Sequence, residues 1–235
     1  MKPVFSRLDD SKRLSRKRIL LFAILFFVAT RIITAIAIGC TTALYKEAWG
    51  VDAMAALNFG ANLDALKEEA LQNGFAATIL MVAIGAPLLE ECAFRLALSF
   101  RKRDVSIGLG AMTLFLASRF LHSWWWSLLP AVAVAAVVWF ATKEEFWNSL
   151  QPRWLKTAAI LSAVLFGLAH MFAMHGLTPE LLPLALLICL MLFFAGATFV
   201  YLRVNLGFGW GLAAHILNNL PATLYLVLNY WLLGR

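Results

Sequence analysis

About seven long apolar runs, separated by short stretches that hold most of the charge, leave this chain almost nowhere to fold except as helices inside a bilayer. The runs fall near residues 19–45, 74–99, 105–121, 127–142, 157–175, 181–202 and 211–233. Roughly 20 apolar residues at ~1.5 Å each cross a hydrocarbon core of ~30 Å, and a helix satisfies its own backbone where no water can. With 62% hydrophobic residues, 14% charged residues and a mean hydropathy of +0.80, a soluble domain of 235 residues is excluded. The expected fold is all-α: one integral membrane domain over 1–235, a polytopic bundle of about seven transmembrane helices with any site in its interior.

Charge gives the orientation. Lys2, Arg7, Lys12, Arg13, Arg16, Lys17 and Arg18 stand against Asp9 and Asp10, and supply most of the net +7. Residues 1–18 therefore read as a basic cytoplasmic tail rather than a nucleic-acid patch. The first run continues past Ala35-Ile36-Ala37 and is longer than a signal-peptide core, so it is expected to be a retained helix. Loop 46–73 is acidic and expected outside, with 52–73 an amphipathic surface helix, whereas Arg101-Lys102-Arg103 and the stretch 143–156 return inside. His122 and Trp124-Trp125-Trp126 then emerge outside, the triple Trp as an interfacial belt. The expected location is a bacterial plasma membrane. Cys40, Cys92 and Cys189 lie in apolar runs at no metal-like spacing, so neither a disulfide framework nor a zinc knuckle is expected.

Against this background a few polar residues stand out. Glu90 and Glu91 sit side by side within 74–99, His170 in the fifth run, and His215, Asn218 and Asn219 in the seventh. An intramembrane charge costs roughly 2.5–3.5 kcal/mol on insertion scales, which makes each a functional candidate. Measured along their helices, Glu90, His170 and His215 can converge between the midplane and the inner leaflet. Glu91 and Arg95 are four apart and can pair, while Glu90 is rotated by about 100° onto another face. The plainer alternative for Glu90 is an ion pair with Arg31 or Arg119. Pro87 should kink the helix and free the carbonyl of residue 83. Phe166 and His170 share a face, as do His215 and Asn219. A lone His in a bundle is commonly a packing residue, but two with a Glu favour chemistry. His122 and His175 read as interfacial, and Gly207-Phe208-Gly209-Trp210-Gly211 as a tight turn into the last run rather than a dinucleotide loop. No G-x-S-x-G or HExxH occurs.

Taken in order, Glu90-Glu91-x-x-x-Arg95, Phe166-x-x-x-His170 and His215-x-x-x-Asn219 resemble the three motifs of the CAAX protease and bacteriocin-processing (CPBP, or Abi) family. The approach Gly196-x-x-x-x-Tyr201-x-Arg203 with Trp210 is similar as well, and the resemblance spans residues 83–221. It implies a glutamate-type intramembrane endopeptidase. In it Glu90 activates water, His170 orients that water, and His215 and Asn219 hold the oxyanion; Glu91, Arg95 and Phe166 support them. A neutral His215 is expected to donate beside the Asn219 amide. No cofactor or metal is implied, and the partners are the lipid bilayer and a membrane-associated protein or peptide substrate. Competing readings are a zinc protease built on the Glu and two His, a non-catalytic immunity or partner-binding protein, and a transporter with a proton path.

Overall fold

The computed structural model describes residues 14–57, 74–121, 123–174 and 176–232, and every regular element among them is helical. Helix α1 (Arg16–Trp49) begins at Ser15, whose side chain accepts from the Arg18 amide. It ends at Gly50 in the left-handed conformation, φ 67°, with its amide returned to the Lys46 carbonyl. At ~1.5 Å per residue its 34 residues exceed the ~30 Å hydrocarbon core. A single turn, α2 (Ala53–Ala56), follows, capped by Asp52. The rest of the expected surface helix, like His122 and His175, lies outside the described residues.

The next run is continuous but not uniform: α3 (Phe75–Leu80), a π-helical turn (Met81–Gly85), α4 (Ala86–Arg95) and a 3-10 turn (Leu96–Ser99). The expected break at Pro87 occurs, one turn earlier and in a different register. In the wide turn the Ala86 amide bonds to the Met81 carbonyl rather than to Val82. The next amide that could reach Val82 belongs to Pro87, which has no N–H. The Val82 carbonyl is therefore left without a helical donor.

Beyond this run come α5 (Lys102–Leu121), α6 (Trp124–Ala141), α7 (Glu144–Ala169), two 3-10 turns (His170–Ala173 and Pro179–Leu181), α8 (Leu182–Leu206) and α9 (Phe208–Leu232). The stretch 143–156, expected to precede the fifth span, is helical from Glu144 onward as the first part of α7, Pro152 included. Its polar residues escape an apolar-run criterion yet form helix readily. The turn expected over 207–211 is confined to Gly207, at φ 113°; Phe208, Gly209, Trp210 and Gly211 already belong to α9. Among the described residues five helices are long and apolar enough to cross a membrane, and Trp125–Ala141 is a shorter apolar helix. Large apolar side chains such as Leu25, Ile33, Phe140, Ile160 and Leu217 point outward, as a multi-pass membrane protein requires.

Helix α8 is the hub. It packs on α1, α7 and α9, while α5 pairs with α6 on one side and α4 on the other. The α7–α8 approach depends on Gly167, where an added Cβ would lie 2.6 Å from the Cys189 carbonyl oxygen and 3.0 Å from the Phe193 amide. Both atoms are backbone, so the helices themselves would have to separate. Gly167→Ala is expected to cost about 1–3 kcal/mol, read as a lower melting temperature in detergent. It should also shift the neighbouring Phe166 and His170, which a simple loss of stability elsewhere would not do.

Candidate functional site

Helix α4 carries two carboxylates into different surroundings. Glu91 is fully buried and its Oε1 accepts from Arg95 Nη1 at 2.7 Å, one turn on. Arg95 is equally buried, its guanidinium 4.2 Å over the Phe166 ring and 5.4 Å from Phe199. Two glycines make room for this pair. A Cβ at Gly196 would stand 3.1 Å from Arg95 Nη2, and one at Gly211 would stand 3.3 Å from Glu91 Oε2. The backbone at Arg95 is tied to α8 as well, since its carbonyl accepts from Arg203 Nε at 3.4 Å. Glu90 faces elsewhere and keeps 16% of its side chain exposed.

The ring of His215, from α9, lies between the two. Its Nδ1 is 2.9 Å from Glu91 Oε1 and its Nε2 is 3.5 Å from Glu90 Oε2. The Phe199 ring stacks on it at 4.6 Å with 17° between planes, and Phe166 meets it edge-on at 5.5 Å. Hydrogen-bond logic assigns the protons. Glu91 Oε1 receives two donors, so Nδ1 carries a hydrogen toward it. A neutral His215 on this tautomer has a bare Nε2, turned toward Glu90.

His170 closes α7, and its Nδ1 is 2.8 Å from the Phe166 carbonyl oxygen. A carbonyl only accepts, so Nδ1 bears the hydrogen and a neutral His170 presents Nε2 as an acceptor. Its ring packs edge-on against Phe166 at 4.9 Å, so one phenyl ring touches both histidines. Glu90 and His215 are within electrostatic range of His170, as is Arg119. Asn219 is half-buried one turn beyond His215, and its Nδ2 donates to the freed Val82 carbonyl at 3.3 Å. The seven residues singled out from the sequence thus gather where α4, α7 and α9 meet α8.

Some of the site was not anticipated. Glu91, read only as the partner of Arg95, also holds His215. Phe199 was not named at all, and no local spacing links it to His215. Arg31, offered as a partner for Glu90, donates instead to Asn218, and Arg119 lies over the Phe115 ring. No three His, Cys, Asp or Glu side chains among the described residues are arranged to hold a metal ion. Beside the site an apolar groove of about 430 Å³ runs between α1, α8 and α9, bordered by Phe27, Phe199, Leu217 and Asn218. Comparison with family models, with curated proteins and with solved structures finds no match for this chain.

Proposed function

We propose that this chain is an intramembrane endopeptidase of the glutamate type, hydrolysing a peptide bond of a membrane-associated protein or peptide. The observation that carries the reading is the line Glu90–His215–Glu91–Arg95, in which one carboxylate is fully buried and committed and the other is partly open. On this reading Glu90 takes a proton from a water held against the bare Nε2 of His170, and the water oxygen attacks the scissile carbonyl carbon. The oxyanion is met by the Nε2 hydrogen of a protonated His215 and by Asn219 Nδ2. Glu90 then passes its proton to the departing amine as the C–N bond breaks. The groove beside Phe199 gives a bilayer-borne segment a lateral approach. Seven spans, a cytoplasmic amino terminus and a bacterial plasma membrane belong to the same proposal.

Membranes from cells making the protein should contain new polypeptide termini, found by mass spectrometry, that are absent from cells without it. A chelator should leave their production unchanged; loss with chelator and recovery with zinc would put a metal in place of this scheme. Asn219→Ala should slow cleavage by about 10²–10³-fold, the loss typical of one oxyanion donor, in a protein that still folds but melts somewhat lower because the Val82 carbonyl and the Asn218 amide lose their partner.

A further inference from the structure

Arg31 stands about 22 Å along α1 from Arg16, at a depth where a charge is expensive. Its guanidinium lies 5.1 Å over the Phe27 ring and donates to Asn218 Oδ1. Among the described residues no carboxylate forms an ion pair with it. A guanidinium has donors only, so the Asn218 atom facing it must be the amide oxygen. Asn218 then turns its Nδ2 toward Asn219 and donates to Oδ1 at 3.0 Å. Asn219 is left to offer Nδ2, one hydrogen of which goes to Val82 O at 3.3 Å. That carbonyl can only accept, and it is available because the π turn and Pro87 leave it without a helical donor. The chain starts on an obligate donor and ends on an obligate acceptor, so both amides can point only one way.

From this we infer that Arg31 and Asn218 are positioning residues that fix the side-chain amide of Asn219 in its donor-inward orientation. The inference rests on the endopeptidase reading, in which Asn219 must donate to the oxyanion. Without the chain, the nearly symmetric amide can turn over and present its oxygen, which repels the negative charge developing on the substrate. The remote Arg31 acts through two amides and touches no reacting atom.

Asn218→Asp separates this role from a structural one. Its carboxylate keeps a partner for Arg31 but offers no hydrogen to Asn219, which is then drawn to face it with Nδ2. The protein, reconstituted in proteoliposomes, should melt at or above the wild-type temperature, yet produce the wild-type termini at least tenfold more slowly. Arg31→Lys, which keeps an obligate donor, should retain most of the rate; Arg31→Met, melting as a folded protein, should lose it to a similar degree as Asn218→Asp. Wild-type rates from Asn218→Asp and from folded Arg31→Met, with Asn219→Ala slow, would overturn the positioning role and leave the endopeptidase standing. Wild-type rates from Asn219→Ala and Glu90→Gln would overturn the endopeptidase and this inference together.

Discussion

Glu90→Gln should reduce the rate of cleavage by about 10²–10⁴-fold while the protein folds as before. The substitution keeps the shape of the side chain and its contact with His215, because an amide can donate to a bare Nε2 or accept from a protonated one. What it cannot do is take a proton from water and return it to an amine. The 16% exposure of Glu90 matters here, since a variant at this position disturbs no fully buried ion pair. Glu90→Asp withdraws the carboxylate by one methylene and should retain part of the activity, because the proton acceptor survives and only its reach is lost. Equal rates for wild type and a folded Glu90→Gln would remove Glu90 from the chemistry.

Arg95→Met should have the largest effect on stability, a loss of about 3–5 kcal/mol measured by thermal or denaturant unfolding in detergent. Met is apolar and flexible enough to lie among Phe94, Phe166 and Phe199, so little packing is sacrificed. The cost arises from Glu91, which is left fully buried without its ion-pair partner, with the His215 contact and the more distant Arg203 to answer its charge. The double variant Glu91→Leu with Arg95→Met removes both charges and should recover most of that stability. It should remain inactive, because His215 would have lost the acceptor that sets its tautomer and holds its ring. Recovery of stability and activity together would mean that Glu91 serves the fold alone.

How much of this was legible beforehand differs from feature to feature. The apolar runs located the helices, because length and hydropathy are the properties a bilayer selects. The Glu91–Arg95 pair followed from four-residue spacing, and the grouping of Glu90, His170 and His215 from the rarity of such residues at that depth. Contacts that join distant segments left no comparable trace. His215 reaches Glu91 across 124 positions and Arg31 reaches Asn218 across 187, and spacing along one helix says nothing of which faces meet. The Pro87 break was readable as a break, but the π turn, whose Val82 carbonyl meets Asn219 of α9, was not, because no spacing along one helix marks where α9 packs. The polar start of α7 was hidden for the opposite reason: its residues favour helix but are not apolar, and a search for spans sees only the latter.

Whether Glu90 activates water is read by placing wild type and Glu90→Gln, matched in melting temperature, in proteoliposomes with extracted membrane proteins in ¹⁸O-labelled water. New carboxy termini carrying ¹⁸O are expected with wild type and almost none with Glu90→Gln. The same labelled termini from both proteins, or none from either, would contradict that expectation.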